Sequence, residues 1–202
     1  MNIKGKYYEY LNESVLLKSD GLYIGCHRIM TVGQEEVMNA YAKALVAERH
    51  QIRILEVGYG LGVFANEVER YDVKEHVIIE CHPELCRRAK ETFSMKSHVK
   101  VLPIFWQDLD AGLGKFDGIF YDVSSIEGDA IKQLLDFIDY AYDNLLFTGG
   151  KISFWYCTNK YDERILHKIK EKNAKIEFSM ITEDELCNLP CKTFIITLIT
   201  KN

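Results

Sequence analysis

The sequence predicts an α/β fold built on one mostly parallel sheet with helices on both faces. Apolar, strand-like runs alternate with helical patterns from residue 50 onward, with no internal repeat and only three prolines. One such run, Ile54-Leu55-Glu56-Val57, breaks into Gly58-Tyr59-Gly60-Leu61-Gly62. The next, Val77-Ile78-Ile79, ends on an acid, Glu80. A strand, a glycine turn, a helix and a second strand ending in a carboxylate form a nucleotide-binding crossover with its ribose acceptor in place.

In chain order, residues 1 to about 50 form a segment ahead of the core, expected to be helical. Within it Val37, Met38, Tyr41, Ala42, Leu45 and Val46 recur at the spacing of a helix with one buried face, over 35–49. Strands are predicted at 52–57, 76–81, 99–104, 118–123, 151–156, 175–181 and 193–200, and helices near 63–70, 83–92, 128–146 and 161–172. Ser124-Ser125-Ile126-Glu127 has the form of a capping box, so a helix should start there, and Gly149-Gly150 should end it before Lys151 opens the next strand. The last two strands are joined by 182–192, too short for a crossover helix, so they are antiparallel to each other. The expected topology is a parallel sheet closed by a reversed final strand, in a single domain spanning 1–202.

Composition narrows the partners. The 202 residues carry a net charge of -5, which disfavours a nucleic-acid partner held by phosphate neutralisation. No apolar stretch approaches the length of a membrane span, and the N-terminus lacks the apolar core of a signal peptide; a cytoplasmic, non-membrane protein is expected. Cys26, Cys81, Cys86, Cys157, Cys187 and Cys191 match no metal knuckle. Cys187 and Cys191 are spaced for a disulfide or half a zinc site, but no histidine lies within ten residues of them, and no metal is expected.

Glycines in a strand-to-helix turn let backbone N–H groups approach a ligand that side chains would block. Glu80, about twenty residues on, is placed to accept from both ribose hydroxyls of an adenine nucleoside. Glu56 suits either a further acceptor position or a partner for the loop's own amides. The third glycine arrives one residue too early for the nicotinamide fingerprint.

Glu56-Val57-Gly58-Tyr59-Gly60-Leu61-Gly62 instead resembles motif I of class I S-adenosylmethionine-dependent methyltransferases. The resemblance implies a Rossmann-like fold, a seven-stranded sheet with its last strand reversed, and S-adenosylmethionine as cofactor with S-adenosylhomocysteine as product. Arg53–Gly60, Glu75–Cys81 and Phe116–Asp122 are similar to the matching segments of the guanidinoacetate N-methyltransferase family, near the arginine methyltransferases. Val101–Asp108, Gly149-Gly150 and Ile195–Lys201 extend the likeness across the core. It implies a cofactor site of Glu56, Gly58, Tyr59, Gly60, Gly62, Glu80, Cys81, Phe105, Trp106, Gln107 and Asp122, with Phe105, Trp106 and Gln107 at the adenine.

By the same resemblance Asp122 binds the guanidino group and is the catalytic residue. Methyl transfer from a sulfonium is an in-line displacement, so the nitrogen lone pair must be exposed and aligned. A carboxylate can hold a cationic amine or guanidine by paired hydrogen bonds and accept its proton as the bond forms. The alternative role for Asp122 is an N-cap of the following turn.

The chain departs from the family where substrate is chosen. The family's Trp-Glu pair falls on Gly33 and Gln34, and a neutral amide cannot replace a carboxylate as charge partner. Glu35 or Glu36 could take over, or could simply favour the first turn of the helix. Gln34, Glu35, Met38, Asp122 and Tyr156 are the candidate acceptor residues, with Asn159 beside Tyr156; Met30, Met38, Tyr7, Tyr8 and Tyr23 are candidates for an apolar lid or for core. The expected reaction is N-methylation of a small guanidino or amino compound. An aminopropyl-type transferase on a related cofactor and a non-catalytic S-adenosylmethionine-binding partner protein are the alternatives.

Overall fold

The computed structural model describes residues 3–46, 48–124, 129–156, 161–182 and 193–202. The N-terminal segment is only partly helical. Helix α1 (Ile3–Asn12) is followed by three short strands, β1 (Val15–Lys18), β2 (Gly21–Ile24) and β3 (His27–Thr31), which form an antiparallel sheet of their own. Strands of four or five residues are too short for alternation to stand out, so the sequence pattern did not show them. Helix α2 (Glu35–Val46) lies where its periodicity predicts, with two glutamates in its first turn and the six predicted apolar residues buried.

The main sheet contains β4 (Ile52–Val57), β5 (Val73–Ile79), β6 (Val99–Leu102), β7 (Phe116–Tyr121), β8 (Leu146–Phe154), β9 (Lys175–Thr182) and β10 (Thr193–Thr200). Their order is β6-β5-β4-β7-β8-β10-β9. The first five pair in parallel, and β10 runs antiparallel to both neighbours, as the predicted topology requires. The reversed strand is inserted one place in from the edge, however, and β9 is the outermost strand.

Central strands are apolar on both faces because both are covered. Leu55, Val57 and Ile119 pack with Phe137, Ile138 and Ile165, whereas Ile54 and Phe120 pack with Val37, Tyr41 and Leu45 of α2. Phe64 stacks on Phe120 with ring centroids 4.0 Å apart, seating helix α3 (Val63–Val68) on that second face. The remaining helices are α4 (Pro83–Thr92), α5 (Ala130–Tyr140) and α6 (Glu163–Glu171).

Two boundaries differ from expectation. Helix α5 is capped by Asp129, whose side chain accepts from the amides of Ile131 and Lys132, and Ser124 Oγ instead donates to the Ile29 carbonyl at 3.2 Å. Glu127, the other half of the expected capping box, lies outside the described residues. Asp129→Ala should therefore lower stability by about 1 kcal/mol in a denaturant titration. After α5, a π-helical turn over Ala141–Leu145 leads straight into β8, which begins at Leu146, so Gly149 and Gly150 lie within the strand. There the Gly149 amide donates to the Lys201 carbonyl at 2.8 Å, a β10-side contact that a helix-ending role would not supply.

Among the described residues no helix is long and apolar enough to cross a membrane, and no group of three or more His, Cys, Asp or Glu is placed to hold a metal ion. Cys26, Cys81 and Cys86 are free thiols; Cys157, Cys187 and Cys191 lie outside the described residues.

Candidate functional site

Chain connections from β4 run to β5 and β6 on one side, whereas β7 and β8 lie on the other, so the sheet has its switch point between β4 and β7. Open α/β sheets bind ligands at the carboxyl ends of strands flanking such a point. A cavity of ≈ 760 Å³, counting its open mouth, lies there. It is lined by Gly58 and Gly60 after β4, Glu80 and Cys81 after β5, Phe105, Trp106 and Gln107 after β6, and Asp122 after β7. Eight residues predicted from sequence thus meet at one place.

The turn after β4 is fastened on both sides. The Gly58 amide donates to the Ile79 carbonyl and the Asp122 amide to the Val57 carbonyl, each at 2.9 Å. Gly58 has φ 95°, and a Cβ there would stand 1.9 Å from the Asp122 carbonyl oxygen. The first glycine is therefore required by the neighbouring strand end, rather than by a ligand's approach. Gly62 caps α3 above the buried Tyr59 ring and does not line the cavity. Tyr59 packs edge-on to Phe93 and contributes its amide, which donates to Glu80 Oε2 at 3.1 Å.

Glu80 is 5% exposed, and its other oxygen accepts from the His82 amide at 2.7 Å. Burial raises its pKa above the ordinary value, and the backbone amides of His82, Tyr59, Gly60 and Cys81 oppose the rise without cancelling it. The neighbouring Cys81 thiol is pushed up to about 12 by burial and by the Glu80 charge, so it is a neutral wall group. Asp122, half-buried in the cavity wall, is pushed up to about 7, chiefly by burial and secondarily by Glu56. Such a carboxyl gains from any cation placed beside it.

Trp106 lies edge-on to Phe137 and Tyr121, with centroids 5.5 and 6.3 Å away, and among the described residues its buried indole N–H has no hydrogen-bond partner. An unused donor, aromatic surface and two carboxylates suit an adenosyl group bearing a positive charge.

Other predicted residues lie elsewhere. Glu56 is sealed under the glycine turn at 1% exposure, with Oε2 2.9 Å from His76 Nε2. The opposite His76 nitrogen is 3.2 Å from Glu69 Oε1, and Glu69 is also bound by Lys96 and His98. Burial works against the charged ring, but the two carboxylates raise the His76 pKa overall. Burial alone would raise Glu69, yet hydrogen bonds from His76 and Lys96 bring it down to about 2.

Met38 is core, Glu35 is exposed in the first turn of α2, and Gln34 is buried, its amide donating to Thr31 Oγ1 at 2.8 Å. Tyr156 is buried beside Phe154 and Tyr161, its hydroxyl accepting from the Asp162 amide at 2.9 Å. None of these four lines the cavity. Asn159 lies outside the described residues, as does the Tyr7 side chain; Tyr8 is exposed, and Tyr23 donates to Asp20.

Met30 does cover the site: its Sδ accepts from the Leu61 amide at 3.3 Å. Sequence reasoning missed Tyr10, Ile29, Ile104, Val123, Ser124 and Gln133 in the lining. Tyr10 of α1 packs edge-on to His82, whose Nε2 lies 3.1 Å from the Glu13 carbonyl, so the N-terminal helix closes one wall. No local motif marks that long-range contact.

Comparison with known proteins agrees with this geometry. The sequence model of the family described as guanidinoacetate N-methyltransferase matches residues 20–198. The chain belongs to that family. It is therefore a member of a family of S-adenosylmethionine-dependent methyltransferases.

Among curated relatives, protein arginine N-methyltransferase 2 of Kluyveromyces lactis is 31% identical over 157 residues, covering 73% of this chain and 36% of that protein. The Yarrowia lipolytica protein of the same name is 25% identical over 201 residues, covering 90% of this chain and 42% of its own length. The chain thus spans well under half of these relatives. In fold, N-methyltransferase NodS from Bradyrhizobium japonicum WM9, solved with S-adenosyl-L-homocysteine, superimposes with a TM-score of 0.70 at 14% identity, over 98% of this chain and 97% of that one. The architecture is the Rossmann-like methyltransferase fold.

Proposed function

We propose that this chain catalyses S-adenosylmethionine-dependent N-methylation of a guanidino or amino nitrogen, with Asp122 as the catalytic residue. The observation that carries the reading is the pairing of Glu80 and Asp122, carboxylates from two strand ends that line one cavity across the glycine turn. Gly58, Gly60, Glu80, Cys81, Phe105, Trp106, Gln107 and Asp122 would hold the cofactor, with Glu80 accepting from the ribose hydroxyls and the Trp106 indole free to donate. When bound, S-adenosylmethionine supplies a methyl group on a positively charged sulfur.

Asp122 orients the acceptor nitrogen through paired hydrogen bonds and takes up its proton as the new C–N bond forms. Met30 and Tyr10 cover the cavity and limit water beside the reacting nitrogen. Two acceptor classes fit this chemistry. A small guanidino or amino compound suits a cavity of this size, and an arginine side chain on a protein is favoured by the names of the relatives. Gln34, buried against Thr31 where the family carries a glutamate, leaves Asp122 as the acceptor-binding carboxylate that lines the cavity.

Titration calorimetry with S-adenosylhomocysteine tests the cofactor assignment: the wild type should bind, and Glu80→Ala should weaken binding by roughly 30-fold or more through loss of two hydrogen bonds to a charged acceptor. Undiminished binding by Glu80→Ala would remove that assignment. Mass spectrometry of guanidinoacetate, free arginine, simple amines and an arginine-rich peptide should then find one acceptor gaining a methyl. Methylthioadenosine in place of S-adenosylhomocysteine would mark an aminopropyl-type transferase, and bound cofactor with no product across the panel would mark a non-catalytic binding protein.

A further inference from the structure

Glu56 faces no ligand, yet the register of the sheet places it directly below the two carboxylates that do. In the parallel pairing Glu56 stands opposite Ile78 on one side and Phe120 on the other. Glu80 and Asp122 each follow two positions later, immediately past the carboxyl ends of β5 and β7. Side chains two residues apart share a face of the sheet and lie about 6–7 Å apart along the strand. Glu56 is sealed from water at 1% exposure, so little solvent screens its field toward the cavity floor.

An isolated carboxylate at such a depth would take up a proton. Here His76, at 0% exposure, has each ring nitrogen within hydrogen-bond distance of a carboxylate, 2.9 Å to Glu56 and 3.2 Å to Glu69. The two carboxylates raise the His76 pKa and favour the imidazolium, whose hydrogen bond and charge pull Glu56 toward its ionised form against the rise that burial produces. Beyond it, Glu69 pairs with Lys96 at 2.7 Å and lies 2.9 Å from His98 Nε2. By register Glu56 lies two positions nearer the carboxyl edge of the sheet than His76, and Lys96 pairs with Glu69 at the far end of the Glu56–His76–Glu69 relay.

We propose that Glu56, kept ionised by His76, acts as a buried charge-selecting residue that makes the cavity favour a positively charged sulfonium ligand over its neutral thioether counterpart. The inference rests on the cofactor reading above and adds to it a role exerted through space, without contact. Its use would be product release: transfer of the methyl group removes the positive charge, and with it the attraction to Glu56.

The test is calorimetric and needs no turnover. Dissociation constants for S-adenosylmethionine and S-adenosylhomocysteine are measured for the wild type, for Glu56→Gln, which keeps an acceptor for His76, and for His76→Gln, which keeps a donor for Glu56 but cannot carry charge. A cooperative thermal transition certifies each variant. In both variants the sulfonium ligand should bind roughly tenfold more weakly relative to the thioether than it does in the wild type. An equal loss for both ligands shows a merely structural role and overturns the proposal. An unchanged ratio, as a proton resident on Glu56 would produce, overturns it too. If the wild type binds neither ligand, the cofactor reading falls and this inference falls with it.

Discussion

Asp122→Asn is expected to lower kcat by ~10²–10⁴-fold while S-adenosylhomocysteine still binds, because asparagine keeps the shape of the cavity wall and a hydrogen-bonding group toward the cofactor but removes the proton acceptor. It should also stabilise the protein at alkaline pH. The folded-state pKa of Asp122, about 7, lies above its ordinary value of 3.8. Below the ordinary value both folded and unfolded states carry the proton, and the group contributes nothing. As pH rises toward 7 the unfolded chain ionises first, so stability falls across that window. Asparagine has no such cost, and after allowance for the half-buried setting the gain at pH 8 should be roughly 1–2 kcal/mol, vanishing near pH 4. Denaturant titrations of both proteins at the two pH values would measure it. A variant no more stable than wild type at pH 8, or one with wild-type turnover, would refute the charge assigned to this site.

The second large effect is expected at Gly58. A methyl group there would meet the Asp122 carbonyl oxygen at 1.9 Å, and neither partner is a flexible side chain. Gly58→Ala must therefore push β4 and β7 apart at their carboxyl ends, in a backbone region where a side chain is already strained. A loss of about 3 kcal/mol or more is expected, together with loss of nucleoside binding. Gly149→Ala is the control, because its φ of 78° is similar but no atom of the described residues lies within 4 Å of the added carbon. That variant should cost only about 1 kcal/mol and leave binding intact. Differential scanning calorimetry with and without S-adenosylhomocysteine separates the two: similar losses in both variants would show that φ, rather than the contact with Asp122, sets the requirement.

Much of the sheet was legible because its determinants are local. The central strands carry apolar runs, which in a doubly covered sheet need no alternation to stand out, whereas β9 (Lys175–Thr182) alternates Ile176, Phe178 and Met180 with polar residues. Gly58, Glu80 and Asp122 were legible for a related reason, since a parallel sheet brings the carboxyl ends of all its strands to one edge. The short strands of the N-terminal sheet lacked a period long enough to read, and α5 took its cap from Asp129 rather than from the stronger motif upstream. Tyr10 joins the cavity through a contact with His82 more than seventy positions away, which no window of sequence contains. His76 carried a faint signal, as a polar residue within the run His76-Val77-Ile78-Ile79, but its two carboxylate partners come from separate elements. Gln34, Glu35 and Met38 were read by position relative to a family pattern and Tyr156 by its place just after a strand, and their side chains point into core, solvent or local hydrogen bonds instead.

The placement of β10 between β8 and β9 bears on how the protein is made. During synthesis the segment that becomes β9 leaves the ribosome before the strand that will hold it. Until residues 193–200 follow, Lys175–Thr182 has no neighbour to accept its backbone hydrogen bonds, while β4 to β8 can already pair among themselves. A sheet of those five strands has its open margins at β6 and β8, and it is at β8 that β10 joins. Its next partner must enter against the direction of every strand already laid down.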